Sequence, residues 1–206
     1  QAVPKLLNLR YIDAAKPGER LFRHAGGNAD PQAAGGELAV LARTACPAGS
    51  GEPMEMYEGA GPVRPDLVRA LAEAVPELAV IVDHCGGPLG VGPHDRFDPD
   101  NFNAWRDALA PVAALPNTRV KIGGFGLGVF GWRYADAPAP PQSDTLAADW
   151  RPWVETCLDL FGAERAMFES NFPVDKISGS YGNYWNAFKK IAAGASSDEK
   201  AQLFSG

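Results

Sequence analysis

The residues best suited to chemistry follow a short apolar stretch in the middle of the chain. Residues 78–82 are rich in β-branched types without alternation, which predicts a strand buried on both faces in a parallel sheet. Asp83 and His84 come directly after it, and the glycines and proline at 86–88 then end regular structure. An imidazole beside a carboxylate at a strand end can serve as a general base, an oxyanion-side donor or a metal ligand. The alternative is that His84 only caps the strand and bonds to a backbone carbonyl.

A second polar cluster follows another short apolar stretch near the carboxyl end. Residues 165–168 predict a strand, Glu169, Ser170 and Asn171 lie at its end, and Asp175 follows shortly after. An amide such as Asn171 cannot accept a proton near neutral pH or neutralise a metal. Glu169 and Asp175 are the members of this cluster that can accept a proton.

Three more polar residues lie in or at the end of predicted strands. Lys121 could act as a base, an electrostatic stabiliser or a Schiff-base nucleophile, or it could reach the rim and pair with a carboxylate. Arg10 could hold a substrate carboxylate with two hydrogen bonds, and Tyr57 would face the end of its strand. Because parallel strands share their carboxyl edge, most of these groups should lie together. The groups expected at this edge are Tyr57, Asp83, His84, Lys121 and residues 169–171.

The elements that must position these residues alternate between strands and helices. Strands are predicted at 5–12, 54–57, 78–82, 119–122 and 165–168. Helices are predicted at 64–77, from Asp98 onward, at 144–161, at 181–193 and after a capping box made by Ser196 and Glu199. This pattern gives about five strands, whereas a closed (β/α)₈ barrel has eight and typically about 250 residues.

Two segments carry no regular pattern. Residues 13–53 are an irregular stretch rich in Gly and Pro, interrupted by a short helix predicted at 37–43. Residues 127–142 form a long loop with three aromatic residues, which either covers a ligand as a lid or packs over the rim of the sheet.

Composition limits the class of protein. The chain has 206 residues, of which 46% are hydrophobic and 21% charged, so a single globular domain spanning 1–206 is expected. The net charge of −6 is spread along the sequence without a basic cluster, which argues against nucleic acid and anionic membranes and favours a small-molecule substrate. Three cysteines without CxxC spacing indicate reduced thiols and a cytoplasmic location. There is also no apolar stretch long enough for a membrane span and no signal-peptide pattern.

Residues 79–90, AVIVDHCGGPLG, resemble the amidohydrolase-2 family. Two later segments look like the family's last catalytic strand, RAMFESNFPVDK at 165–176, and its following helices, at 181–204. The resemblance implies an α/β fold like a TIM (β/α)₈ barrel, here incomplete at its N-terminal side. It also implies metal-dependent or metal-independent hydrolysis, a class that includes lactonases acting on dicarboxylate and sugar lactones.

Two features depart from that family. Many relatives have Ser-Asp where this chain has Ser170 and Asn171. Family barrels also begin with two histidines separated by one residue, a pair that does not occur among His24, His84 and His94. The resemblance therefore implies either no required cofactor or a single divalent metal, zinc being the best candidate, and it identifies no ligand set.

We expect a hydrolase in which water attacks a lactone or a related ring ester of a small organic acid. The expected catalytic residues are His84, Glu169, Asn171 and Asp175, and the expected substrate-binding residues are Arg10, Tyr57, Lys121 and Ser170. The alternatives are an inactive barrel remnant that binds a ligand or partner, and a metal-dependent decarboxylase on the same scaffold. Open edges of an incomplete sheet would favour a homo-oligomer.

Overall fold

One sheet of six strands organises the part of the chain that the structure describes. The computed structural model describes residues 6–12, 19–25, 54–58 and 65–205, the first three of these as backbone only. The strands are β1 (Leu6–Ile12), β2 (Glu19–Ala25), β3 (Met54–Glu58), β4 (Val80–Val82), β5 (Thr118–Ile122) and β6 (Ala166–Phe168). Their spatial order is β2-β1-β3-β4-β5-β6.

The four strands from β3 to β6 are parallel, and a helix lies between each consecutive pair in the chain. The helices are α1 (Pro65–Ala74), α2 (Pro99–Ala113), α3 (Ser143–Phe161), α4 (Tyr181–Ile191) and α5 (Ser197–Ser205). The predicted helices of this region are confirmed, with ends that differ by a few residues. This repeated strand-helix order is the arrangement of a (β/α)₈ barrel, and the described residues supply four of its parallel strands.

The predicted helix starts are confirmed by their hydrogen bonds. The side chain of Asp98 accepts from the backbone N–H of Asp100 at 2.9 Å, which caps α2. Ser196 and Glu199 form the expected reciprocal capping box before α5, with distances of 2.8 and 3.3 Å.

Strand β2 corrects the prediction that residues 13–53 are irregular apart from a short helix. Glu19–Ala25 pairs with β1 in an antiparallel register that places Asn8 opposite Arg23 and Arg10 opposite Leu21. The residue pattern does not predict this strand, because only two large apolar residues lie among its polar ones. The strand is therefore stabilised by its backbone hydrogen bonds to a partner strand. The helix predicted at 37–43 lies outside the described residues.

Strand β1 runs opposite to β3, which places the backbone of Arg10 within the sheet and not at its carboxyl edge. Arg10 pairs with Glu55, and Glu55 is level with Ile81 inside β4. Tyr57 follows Met56, which is level with Val82, so its backbone does reach that edge. An antiparallel strand ends where its parallel neighbours begin, so the backbone of Arg10 lies away from the expected site.

The core lies between the parallel strands and the helices that cover them. Trp150 of α3 is fully buried, and its ring stacks on Phe125 with centroids 5.0 Å apart. Tyr184 meets Trp150 edge-on at 4.9 Å, and Phe188 packs beside both. Rings in these geometries stabilise a core beyond the area they bury.

The two cysteines in the described residues, Cys85 and Cys157, are free and buried, while Cys46 lies outside them. Within 65–205 and the three described strands, no helix is long and apolar enough to cross a membrane.

Asn117 fastens the start of β5 to the end of α1. Its side-chain amide donates to the carbonyls of Ala72, Val75 and Leu78 at distances between 2.9 and 3.3 Å. Its own carbonyl accepts from the N–H of Val80 at 2.8 Å, which aligns β4 beside β5.

We expect Asn117→Ala to lower the free energy of unfolding by about 1–3 kcal/mol, because it leaves partly buried carbonyls without a donor. Urea unfolding followed by circular dichroism measures this change. Asn103→Ala, at a partly exposed position on α2, is the matched control and should change stability by less than about 0.5 kcal/mol. Equal effects of the two substitutions would contradict the anchoring role.

Candidate active site

A hydrogen-bonded pair joins the ends of β4 and β6. His84 follows β4, Glu169 follows β6, and the imidazole Nδ1 bonds to Glu169 Oε1. The same carboxylate oxygen accepts from the backbone N–H of His84 at 3.2 Å. The two side chains are 20% and 16% exposed, so both are mostly buried yet reach the surface. The predicted meeting of these residues at one edge is confirmed.

The turn that presents His84 has an uncommon backbone. The four residues from His84 to Gly87 all have positive φ, with 53° at His84 and 55° at Cys85. Such values cost a non-glycine residue on the order of 1–3 kcal/mol and cluster at functional sites. Trp105 of α2 holds the turn in place, since its indole N–H donates to the Cys85 carbonyl at 2.8 Å.

Two glycines after β5 leave the space in which the pair meets. A Cβ on Gly124 would lie 2.8 Å from the ring of His84, and the φ of Gly124 is +69°. A Cβ on Gly123 would collide with the backbone and side chain of Glu169. Since β5 lies between β4 and β6, only a strand end without side chains lets His84 and Glu169 reach across it.

A second charged pair lies beside the first. Lys121 projects from β5, and its ammonium lies 3.3 Å from Asp83 Oδ1 at the end of β4. Lys121 is 21% exposed and Asp83 is 7% exposed. The lysine thus pairs with a carboxylate, as one of the sequence-based alternatives holds, while keeping partial access to the edge.

Asp175 anchors the turn after β6 from inside the protein. It is fully buried, and its two oxygens accept from the amide of Asn171 at 2.7 Å and from the backbone N–H of Gly126 at 2.9 Å. Asn171 itself has a φ of 51°. With both oxygens occupied and no exposed surface, Asp175 is placed to position Asn171, which does not support a role in activating water.

Electrostatics raise the pKa of His84. Burial lowers the pKa, but the hydrogen bond and charge of Glu169, together with the charges of Asp83 and Asp175, outweigh burial and leave it above 6.5. These acidic neighbours therefore favour the imidazolium form over the neutral ring more than water does.

The pKa of Asp175 is also raised, to about 6, chiefly by burial. Hydrogen bonds from Gly126 and Asn171 and the charge of His84 oppose the rise, while Glu169 adds to it.

The donor groups at this edge do not form a metal site on their own. Asp83 is paired with Lys121, Asp175 is occupied by two N–H donors, and His84 Nδ1 is bonded to Glu169. Among residues 65–205 and the described strands, no group of three or more His, Cys, Asp or Glu is arranged to hold a metal ion. We therefore derive no chemical step through a metal.

The structure shows no contact between the His84–Glu169 pair and the other predicted substrate-binding residues, Ser170, Tyr57 and Arg10, among the described atoms. The Ser170 hydroxyl accepts from the backbone N–H of Phe172 at 3.3 Å and so shapes the turn after β6. The backbone of Tyr57 is at the edge, the backbone of Arg10 pairs with Glu55 within the sheet, and the side chains of both lie outside the described residues.

The aromatic loop at 127–142 is fastened to the loop that follows His84. The N–H of Gly90 donates to Val129 O at 2.9 Å, and Arg96 Nη1 donates to Phe130 O at 2.7 Å. The loop also contains two short 3₁₀ turns, Gly128–Phe130 and Tyr134–Asp136. In this conformation it packs over the rim of the sheet.

Sequence reasoning missed Gly123, Gly124 and the indole donor of Trp105. The available signal was a strand ending in consecutive glycines next to one that ends in a histidine.

We expect Gly124→Ala to displace the His84 ring, because the new methyl group would overlap it and the backbone would be strained. NMR should show the His84 pKa moving down toward its ordinary value, with circular dichroism retained. The control is Gly128→Ala, where an added Cβ meets nothing within 4 Å. An unchanged His84 pKa in Gly124→Ala would show that the glycine is not required.

We expect Glu169→Gln to lower the pKa of His84, because the neutral amide removes the opposing charge while burial remains. Histidine proton resonances followed against pH, assigned with His84→Asn, measure it. The raised pKa also means that the pair stabilises the fold below about pH 6.5, an effect lost as pH rises through the folded-state pKa. Glu73→Gln, at an exposed position on α1, should leave the titration of His84 unchanged.

Comparison with known proteins gives a consistent family assignment. The family model described as amidohydrolase matches residues 49–206. An uncharacterised protein of Sinorhizobium fredii, y4mH, is 39% identical over 134 residues, covering 65% of this chain and 38% of that protein. An L-fucono-1,5-lactonase of Burkholderia ambifaria is 29% identical over 141 residues, covering 66% of this chain and 42% of that protein.

The chain thus spans about two fifths of the length of these curated relatives. Among solved structures, an amidohydrolase from Burkholderia multivorans with bound HEPES aligns with a TM-score of 0.57 and 28% identity. That alignment covers 69% of this chain and 46% of the other. A structure of an amidohydrolase from the same organism with bound zinc aligns with a TM-score of 0.56 and 26% identity. The chain belongs to the amidohydrolase-2 family, and its mixed α/β fold corresponds to part of that family's TIM barrel.

Proposed function

We propose that this protein hydrolyses a lactone or a related ring ester of a small organic acid. The observation that carries the proposal is the His84–Glu169 pair at the carboxyl edge of the parallel strands, with Lys121 and Asp83 beside it. Active sites of TIM-barrel enzymes lie at this edge. Two similar proteins from Burkholderia are L-fucono-1,5-lactonases, which favours a sugar lactone as the first substrate to test.

Glu169 is suited to activate water. Its Oε1 is held by His84, whereas within the described residues Oε2 accepts no hydrogen bond. A water molecule bonded to Oε2 would lose its proton to Glu169 as its oxygen attacks the lactone carbonyl. The turn at Asn171, anchored by Asp175, fixes the backbone that carries Glu169.

His84 is suited to stabilise the oxyanion that forms on the carbonyl oxygen. In the protonated form, which its raised pKa favours, the ring carries a proton on Nε2 as well as the one that Nδ1 shares with Glu169. The Nε2–H can donate to the oxyanion, and the ammonium of Lys121 adds positive charge nearby. Collapse of the tetrahedral intermediate breaks the ring C–O bond, and the departing alkoxide takes the proton from Glu169 to give the hydroxy acid.

The test is a hydrolysis screen of the 206-residue chain with 1,4- and 1,5-sugar lactones, L-fucono-1,5-lactone first, monitored by acid release. Metal content is measured in the same preparation, and zinc is added in parallel. We expect Glu169→Gln and His84→Asn each to lower kcat by about 100-fold or more. Glu73→Gln and His94→Asn, both exposed, are the matched controls and should stay near the wild-type rate.

The pH profile distinguishes the assigned role of His84 from that of a general base. Activity that falls as pH rises through the NMR-measured pKa of His84 supports the imidazolium donor. Activity that rises through the same pKa would make the neutral ring the base. A folded protein that turns over no lactone, with or without zinc, would contradict the proposed function and favour a binding protein.

A further inference from the structure

Asp83 is an acidic residue on the face of the sheet that is turned away from the helices. Val82 of β4 and Val120 of β5 are level with each other, and both belong to the hydrophobic core that the helices cover. The backbone of Asp83 is extended, and side chains alternate between the two faces of a strand. Asp83 and Lys121, which follow this level pair, therefore lie side by side on the opposite face.

The side chain of Asp83 is not used by the turn that follows it. Aspartate is among the best residues for capping the start of a helix, yet this carboxylate makes no capping hydrogen bond to the 3₁₀ turn His84–Gly86. The backbone carbonyl of Asp83 serves the turn instead and accepts from the N–H of Gly86 at 2.9 Å. The carboxylate Oδ1 lies 3.3 Å from the ammonium of Lys121. Because a largely buried carboxylate is costly unless it is paired, this position indicates a role outside the turn.

The same carboxylate acts on His84. Burial lowers the pKa of His84, and the charge of Asp83 is one of three carboxylate charges that raise it, with those of Glu169 and Asp175. A carboxylate in contact with a lysine likewise favours the charged form of that lysine. Asp83 thus favours the protonated form of both groups that the proposed reaction assigns to the oxyanion.

Lys121 needs an anchor if its charge is to act at one place. A lysine has a flexible four-carbon stem, and its ammonium lacks the fixed donor geometry of a guanidinium. The stem of Lys121 starts two residues before Gly123, where the strand stops carrying side chains. Asp83 has a short side chain that is only 7% exposed, so few positions are available to its carboxylate.

We propose that Asp83 is a positioning residue, whose carboxylate holds the Lys121 ammonium at the edge where the His84 ring meets the oxyanion. The inference rests on the proposed hydrolysis, in which both cations face the charge that develops on the carbonyl oxygen. Asp83 itself touches no reacting atom and transfers no proton. A carboxylate that served only the fold would stabilise the sheet without setting the order of Lys121 or the protonation of His84.

The first test requires no turnover and so stands apart from the proposed function. NMR follows the ¹⁵N–¹H resonance of the Lys121 ammonium, assigned with Lys121→Met, and the titration of His84. We expect Asp83→Asn to abolish the ammonium resonance, through faster exchange with water, and to lower the pKa of His84. Asp107→Asn, at a position on α2 that is 68% exposed, should change neither.

The second test is kinetic and uses the lactone that the chain hydrolyses best. Asp83→Asn should lower kcat at least about tenfold and leave KM within about twofold, because it weakens stabilisation of the oxyanion and not binding of the neutral lactone. The fall of kcat/KM at alkaline pH should move to lower pH by as much as the measured pKa of His84 moves. In Lys121→Met, which has no ammonium to hold, Asp83→Asn should cost less than it does in the parent chain.

Circular dichroism and thermal unfolding check that each variant is folded. Asp83→Glu replaces Asp83→Asn where the latter does not fold, and it should keep the raised pKa of His84 while lowering kcat, because its carboxylate is displaced by one methylene. A Lys121 ammonium without a resonance in the parent chain would overturn the proposal. So would equal costs of Asp83→Asn with and without Lys121, or a loss of activity with the ammonium resonance and the His84 pKa unchanged. A parent chain that hydrolyses no lactone contradicts the proposed function, whereas the NMR measurements alone then decide whether Asp83 holds Lys121.

Discussion

The hydrogen bond between His84 and Glu169 is the contact on which the rest of the edge depends. It joins β4 to β6 across the strand that separates them, so it exists only if β5 ends without side chains. Gly123 and Gly124 meet that condition. The bond also requires His84 to project sideways from its strand, and the positive φ of the turn provides this direction. The strain of that turn is on the order of 1–3 kcal/mol per non-glycine residue and must be offset by surrounding contacts.

Those contacts come from the layer of helices. Trp105 of α2 fixes the strained turn through the Cys85 carbonyl, and the buried Cys85 side chain joins the core beneath. On the other side, Tyr184 of α4 donates to the Asp175 carbonyl at 3.3 Å, and Asp175 in turn holds Asn171. Trp150 supports the Glu169 half through its contact with Tyr184, and Trp153 supports the His84 half through its contact with Trp105. Both tryptophans belong to α3, so a packing change in that helix would move Glu169 relative to His84.

The sequence predicted local features well and relations between strands poorly. Residues 78–82 and 165–168 were predicted to be buried strands because apolar residues are continuous there. The helices were predicted from the spacing of their apolar residues and from their capping residues. Strand β2 was missed, and the antiparallel direction of β1 was not predicted, because an antiparallel pairing depends on a partner that no local pattern identifies. The grouping of His84, Lys121 and Glu169 followed from topology, since parallel strands share an edge.

The sequence predicted which residues lie at the carboxyl edge better than it predicted which of them can take part in chemistry. Asp175 and Glu169 are the same kind of acid a few residues apart, and only the fold separates them. Asp175 is turned inward onto two N–H donors, whereas Glu169 keeps one oxygen available at the edge. No spacing rule distinguishes the two, because the difference depends on which backbone amides each carboxylate meets.

The raised pKa values of Asp175 and His84 both make the fold less stable as pH rises. The pKa of Asp175 is raised from 3.8 to about 6, so the folded state binds its proton more tightly than the unfolded state, and stability from this group falls as pH rises across that interval. The raised pKa of His84 extends the same trend above pH 6.5. The charges that raise the pKa of His84 therefore make this part of the fold less stable as the solution becomes alkaline, over the same pH range in which the proposed oxyanion donor loses its proton.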